Sequence, residues 1–339
     1  MKTLCYNRNM NGLSFVEIKR FSEDLGIDDI KITDATPITE HEDWIQERAH
    51  RGHRTEFEPE EGLTGDPSSV LPGAKHVLVF GMRLPRIRRE RNDRALAWAD
   101  IAVGEDYHRR MRRPLERIAE RIALHGNVYV QVDTGRLRER AFAHKAGMGS
   151  IGKHTFLIHP EFGTWITLGL IVTDAPIRDL PEVTVNRDRC GDCTRCIEAC
   201  PCHAILPYRV AAGRCLSYLT QKSTLSQQEA ARIASAYGCD ICQRVCPLNL
   251  DVPKTETDAP TGIRIEDLLL SKREFRRRYG HSAAFWRGPS ILKRNVLLHL
   301  GNERRTEYDA IIRHFEQSES NVLRNAARYA RDRREDNRW

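Results

Sequence analysis

Cys190-Gly-Asp-Cys193-Thr-Arg-Cys196-Ile-Glu-Ala-Cys200-Pro201 is the stretch on which the reading of this chain turns. Its spacing, C-x2-C-x2-C-x3-C-P, is the bacterial run in which three thiolates hold one 4Fe–4S cluster and the fourth reaches a second. Two-residue gaps wrap the loop around one face of a cube, and the proline turns the chain away after the last ligand. A second run, Cys239-Asp-Ile-Cys242-Gln-Arg-Val-Cys246-Pro247, repeats only C-x2-C-x3-C-P and is one ligand short. Cys215 is the nearby cysteine outside the runs that can complete it. The spacing therefore assigns Cys190, Cys193, Cys196 and Cys246 to one cluster, and Cys200, Cys215, Cys239 and Cys242 to the other. Paired C-x2-C segments also build zinc sites, but zinc does not account for two C-P endings at matched spacing. Cys202, directly after Pro201, reads as a spare packed thiol, and Cys5 as structural or incidental.

Nine of the ten cysteines lie between Cys190 and Cys246 of a 339-residue chain. Disulfide scaffolds reach that density in short secreted domains. Here Met1–Asn11 contains no apolar segment of signal-peptide length, and no apolar run approaches the roughly 18 residues of a membrane span. A cytoplasmic protein with two or three domains is the expectation. The composition is 40% apolar and 30% charged, which supports a packed core. The net charge of +7 is concentrated at one end, where residues 260–339 carry 18 Lys and Arg against 11 Asp and Glu. Arginine suits bidentate contact with phosphate, although a basic run is also what a solvated helix face looks like. A second basic run comprises Arg83, Arg86, Arg88, Arg89, Arg91 and Arg94.

Working outward from the cysteines, the upstream chain alternates helix and strand. Ser14–Asp34 reads as a helix, a turn and a short strand; Lys75–Gly81, Asn127–Asp133 and Trp165–Thr173 read as strands. Helical patterns cover Tyr107–His125, where Pro114 constrains the first turn, and Leu137–Lys145. Downstream the pattern is helical only: Ile265–Arg277, Ser290–Leu300, Tyr308–Ser318 and Ser320–Arg334. Residues 1–175 are thus expected to form an α/β or α+β domain, 176–255 the cluster domain and 256–339 a helical region of stacked pairs. Gly147-x-Gly149-x-x-Gly152 has dinucleotide-loop spacing but follows a helix, which favours a tight turn. Asp106-Tyr-His108 superficially resembles a corrinoid-ligating D-x-H motif, with Met111 where glycine would stand, and is set aside on that ground.

Taken together, several segments resemble the epoxyqueuosine reductase family. They are Asp106-Tyr-His, Val132-Asp-Thr-Gly, Arg140-Ala, Ala146-Gly-Met-Gly-Ser-Ile-Gly-Lys153, Glu161-Phe-Gly-Thr-Trp165, both cysteine runs, Arg214–Thr220, and Gly280-His through Phe285-Trp-Arg-Gly288 to Arg294-Asn295. The resemblance implies an α/β (α+β) cobalamin-binding domain, an embedded ferredoxin-like two-cluster domain and a C-terminal all-α HEAT-like region. It implies two-electron reduction of the epoxide on the wobble base of a tRNA carrying epoxyqueuosine. The cofactors would be cobalamin and two 4Fe–4S clusters, fed by a reduced carrier of flavodoxin or ferredoxin type, in a monomer with no membrane contact. Asp133 matches the family's proton donor, a role for which its pKa would have to be raised; the plainer reading is that it caps the helix after Gly135. The same carry-over places Asp133, Glu139, His154, Leu157, Leu168, Ser217, Asp240 and Ile241 around the corrin, and Arg287 and Arg294 on tRNA. His154 departs from the Asn or small polar residue usual there and invites a reading as an axial cobalt ligand, which the family does without. Other departures are Leu170, Cys202-His203 and the segment Glu40–Val70.

Competing readings remain. A paralogue with the same cofactors could reduce another epoxide or a halogenated compound. An electron-transfer iron–sulfur protein has no use for Val132–Gly135, and a nucleic-acid-binding iron–sulfur structural protein none for Asp133.

Overall fold

The computed structural model describes residues 13–89 and 92–335; Cys5, Arg91 and the segment Met1–Asn11 lie outside the described residues. The elements that position the site are α1 (Phe15–Asp24), β1 (Asp29–Asp34), β2 (His76–Arg83), α2 (Tyr107–Ile122), β3 (Val128–Gln131), α3 (Glu139–Lys145), the hairpin β4 (Ser150–Ile151) and β5 (Leu157–Ile158), and β6 (Ile166–Thr173). β1, β2, β6 and β3 form one sheet in that order, and every pair is antiparallel. The domain is therefore α+β in its sheet.

Register explains why these strands are nearly continuous apolar runs. Ile32, Leu78 and Ile171 stand opposite one another across the sheet and face α1 and α2, among Phe15, Ile18, Leu115 and Ile118. Val77, Val79, Leu170 and Val172 point the other way, onto Phe142 and Ala143 of α3. A sheet covered on both faces leaves no polar alternation. Leu170, one of the departures, is fully buried in that second layer.

Gly169 sets how closely α2 lies on the sheet. A Cβ there would come within 2.6 Å of Leu115 Cδ2 and 3.2 Å of Met111 Cγ, so any side chain would lift the helix. α2 starts at Tyr107 and runs through Pro114, so the proline lies inside the helix and does not mark its first turn.

The cluster segment and the C-terminal helices share a core that also takes in Ile87, Leu96, Trp98, Ala102 and Val103. Those helices are α4 (Lys272–Tyr279), α5 (Gly288–Asn302), α6 (Asp309–Glu316) and α7 (Asn321–Glu335). The helix expected over Ile265–Arg277 is broken in two. Ser271 accepts from the Glu274 amide while Glu274 reaches back to the Ser271 amide, and this capping box starts a new helix. Polar ties fix the cluster segment to the sheet domain. The buried Asp100 carboxylate accepts from Ile87 N, Trp165 Nε1 and Arg244, and Arg86 donates to the carbonyls of Asn249, Leu250 and Val252. Among the described residues no helix is long and apolar enough to cross a membrane.

Candidate active site

Where β3 ends, the chain makes a tight turn, with Thr134 N donating to Val132 O at 2.7 Å. Asp133 adopts φ 58° there, the left-handed region that costs most side chains about 1 kcal/mol or more and Asp less than most. Its amide donates to Glu139 Oε1 at 2.7 Å, which leaves the carboxylate free to face away from α3. That carboxylate meets the start of α2. Asp133 Oδ2 accepts from the Tyr107 hydroxyl at 2.8 Å and lies 3.1 Å from His108 Nε2. The other imidazole nitrogen, Nδ1, is 2.8 Å from Asp106 Oδ1, and the same oxygen caps α2 by accepting from His108 N. Asp133 is not a helix cap; α3 begins only at Glu139.

A carboxylate against each imidazole nitrogen favours the form that donates from both, the cation. Burial opposes that charge, but Asp106 and Asp133 outweigh it and raise the His108 pKa to about 9. The effect on Asp133 is reciprocal. Burial works to raise it, yet His108 and then Tyr107 hold it below the usual carboxylate range. This runs against the expectation of a raised Asp133: the histidine and tyrosine beside it favour its ionised form. Glu139 goes the other way, pushed up to about 8 by burial and by the charge of Asp133. Two carboxyls six residues apart thus hold opposite protonation states near neutral pH, the arrangement by which a site separates acid from base.

These groups line a cavity of about 1860 Å³, larger than the roughly 300–1,000 Å³ of most small-molecule sites. Asp133 is sunk within it yet 56% exposed to its interior. The wall joins Tyr107, His108, Asp133, Glu139 and Arg140 to Ser217, Tyr237 and Cys239 of the cluster segment, and to Trp286 near the start of α5. Sequence reasoning quoted Asp106-Tyr-His108 but gave Tyr107 and His108 no site role, although Asp106 as an N-cap before them was a usable signal.

The thiols fall into two neighbourhoods. Cys196 is pushed up by burial and by Cys190, Cys246 and Cys193; Cys246 by burial, Cys190 and Cys193. Burial also raises Cys239 to about 12, with Cys215, Asp240 and Cys200 adding, and Cys242 further still beside Cys239, Cys215, Cys196 and Cys200. Cys190, Cys196, Cys215, Cys239, Cys242 and Cys246 are each pushed up by burial and by neighbouring thiols or carboxylates, an environment that suits cationic iron, which deprotonates a coordinating thiol outright. Cys202 is fully buried near Cys200 and Cys215. Lys153 N lies 3.4 Å from Cys190 Sγ and Lys153 Nζ donates to Gly191 O, so the β4–β5 hairpin holds the first cysteine loop. The Gly147–Gly152 segment makes a tight turn, Gly147 at φ 77°, into that hairpin.

Of the residues expected around a corrin, Asp133, Glu139 and Ser217 lie on the cavity wall; His154, Leu157, Leu168, Asp240 and Ile241 do not. Leu157 and Leu168 are packed in the sheet core. Asp240 accepts from Asp100 N and Arg244 Nε, and Ile241 opens the short helix behind Cys239. His154 is 3% exposed, and its Nδ1 accepts from Phe156 N at 3.2 Å. Burial and Arg140 lower its pKa to about 4, so the ring is neutral, with Nδ1 taken up by the Phe156 amide and the residue off the cavity wall. Arg294 corrects a second expectation. It is 4% exposed, and its guanidinium is directed at the carbonyls of Leu219, Thr220, Lys222 and Ser223, which leaves it no reach to RNA phosphate. Arg287 is half-buried, donating to Gln221 O and Ser223 Oγ.

Comparison with known proteins matches residues 65–134 to the model described as epoxyqueuosine reductase QueG, DUF1730, and residues 189–249 to the 4Fe-4S double cluster binding domain. The chain is 36% identical over 306 residues to an epoxyqueuosine reductase of Lactococcus garvieae (strain Lg2), covering 84% of this chain and 86% of that one. It is 33% identical over 314 residues to one of Staphylococcus aureus (strain NCTC 8325 / PS 47), covering 87% and 81%. Among solved structures, an epoxyqueuosine reductase crystallised with an epoxyqueuosine-modified tRNA-Tyr stem loop superposes at TM-score 0.86 and 28% identity, over 95% of this chain and 90% of that one. The Streptococcus thermophilus epoxyqueuosine reductase superposes at 0.84 and 27% identity, over 94% and 90%.

Proposed function

The chain belongs to the epoxyqueuosine reductase family, an oxidoreductase family, and from that premise we propose how its cavity reduces epoxyqueuosine in tRNA to queuosine. The observation that carries the reading is a single wall bearing both Asp133–His108 and Cys239. A proton source and a cluster thiolate open onto one cavity large enough for a second redox cofactor and a nucleoside. Removing an epoxide oxygen as water consumes two electrons and two protons and leaves a carbon–carbon double bond. The family's 4Fe–4S clusters supply electrons singly, and a carrier of flavodoxin or ferredoxin type would refill them.

The cavity also fits cobalamin. Its volume exceeds an ordinary pocket, and Ser150 Oγ on the wall is buried without a hydrogen-bond partner among the described residues. Glu139, Ser150 and Ser217 would hold the cofactor's polar periphery. When bound, cobalamin supplies a cobalt centre that collects single electrons and delivers a pair. The protein's own chemistry is proton delivery. The departing oxygen is a strong base, and an acid positioned against it contributes on the order of 10²–10⁴-fold. Asp133 Oδ2 takes one proton from His108 Nε2, 3.1 Å away, and passes it to the oxygen, the second proton of the water coming from solvent in the open cavity, while Asp106 holds the imidazole in place. The Tyr107 hydroxyl, its pKa raised by burial and by Asp133, stays protonated and orients the carboxylate. In this reading residues 1–175 bind cofactor and substrate, 176–255 hold the clusters, and the HEAT-like 256–339 region braces the tRNA side.

The test is anaerobic protein, reconstituted with iron, sulfide and cobalamin, given an epoxyqueuosine-bearing tRNA and a chemical reductant. Nucleoside mass spectrometry should show queuosine replacing its epoxide. Loaded protein that leaves the epoxide intact would overturn the reading.

A further inference from the structure

Trp286 is the largest exposed aromatic on the cavity wall. It is 53% exposed, yet it is not loose. Its Nε1 donates to Gln221 Oε1 and to the Tyr237 hydroxyl, each at 3.0 Å. Phe57 meets it edge-on, with centroids 5.0 Å apart at 76°, and Tyr218 meets Phe57 in the same manner at 5.6 Å. The Arg287 guanidinium sits 4.9 Å from the indole and 5.1 Å from Phe57, held by Gln221 O and Ser223 Oγ. With its only polar atom satisfied, Phe57 against its edge and Arg287 over the ring, the indole has a fixed orientation while 53% of the residue stays exposed.

Resting on the reaction proposed above, we propose that Trp286 is the stacking platform for the nucleotide next to the wobble base. For the modified base to reach Asp133, the wobble nucleotide must leave the anticodon-loop stack, and extruding a base strips its neighbour of a stacking partner. The ring that replaces it must be aromatic, be rigid and open onto the same cavity, and Trp286 meets each condition on the wall that Asp133 shares. Arg287 beside it adds a cation for the adjoining phosphate or a second stacking plane. The ligand class is a single-stranded nucleotide read by its π-face, so little preference for base identity is expected there. Phe57 comes from Glu40–Val70, a segment that departs from the family pattern, so the platform is assembled from a divergent segment and a shared one.

The experiment uses the full-length, cluster-loaded protein and an anticodon stem-loop RNA carrying 2-aminopurine beside the wobble position. Wild type should bind the loop and quench the probe as it stacks. Trp286→Ala should weaken binding roughly 5- to 150-fold, the range for losing one stacked base, and leave the probe bright, while Trp286→Phe should restore most of both. The slope of log affinity against log salt should not change, because no phosphate contact is removed. Iron content should match in all three proteins. Binding and quenching by Trp286→Ala equal to wild type would overturn the platform, as would a loss that Trp286→Phe fails to restore. Conversion of the epoxide by wild type is followed in parallel. If quenching depends on Trp286 but no queuosine forms, the reaction falls and the platform stands; if wild type binds no loop at all, both fall.

Discussion

Replacing Asp133 by Asn removes one charge and one transferable proton and disturbs little else. The residue sits at φ 58°, where Asn is at least as comfortable as Asp, so the turn after β3 survives. The bond from its amide to Glu139 is untouched, and the Tyr107 hydroxyl keeps an oxygen to donate to. Two consequences can be sized. An amide cannot deliver a proton to the departing oxygen, so the chemical step should slow by 10²–10⁴, about 2.7–5.4 kcal/mol of barrier. His108 also loses one of the two carboxylates that raise it from 6.5 to about 9; if they share the effect evenly, its pKa falls by about one unit. The assay is anaerobic single turnover on epoxyqueuosine RNA across neutral to alkaline pH, with iron and cobalamin contents measured beforehand. The wild-type rate should decline as pH climbs through about 9, where His108 gives up its proton and Asp133 is no longer resupplied. The variant should be slow throughout and lack that limb. A variant near wild-type speed with chemistry rate-limiting, or a wild-type profile flat through pH 9, would refute the proton route.

Three further outcomes are expected. Cys196→Ser or Cys242→Ser should each remove roughly half of about eight irons, because each belongs to a different cluster; zinc bound in place of iron, in protein kept from air, would contradict the assignment. Arg294→Ala should cost about 1–3 kcal/mol in denaturant titration, since it strands buried carbonyls at residues 219–223. It should leave the salt slope of RNA binding unchanged, and a flatter slope would return Arg294 to the phosphate contacts. Glu139→Gln should flatten the pH dependence of stability. The folded protein holds a proton on Glu139 up to about 8 that the unfolded chain releases near 4.5, so wild type loses stability as pH rises through that window. Thermal melts at the two ends of the window, compared between the proteins, check the sign.

What the sequence settled alone was local. Ligand spacing at Cys190–Cys200 and Cys239–Cys246, the apolar runs of β2 and β6 and the amphipathic period of α2 are all written within windows of a dozen or so residues. Each reflects one element's geometry, so each could be read without knowing what lies opposite. The expected helix across Ile265–Arg277 failed even at that scale, because the Ser271–Glu274 capping box outweighed continuous helical periodicity. The tertiary structure decided which groups meet. Nothing in Val132-Asp-Thr-Gly says that its carboxylate will find an imidazole 25 residues earlier in the chain; that pairing needs α2 seated on β6 at the closeness Gly169 allows. The protonation pattern follows from the pairing, which is why a raised Asp133 pKa was the natural expectation and the wrong one. Arg294 shows the same limit for charge. Composition counts a guanidinium as a cation available to RNA, but only packing reveals that it is spent on the carbonyls at residues 219–223. Residue type fixes what a group can do, and the three-dimensional neighbours fix its charge, its exposure and its partner.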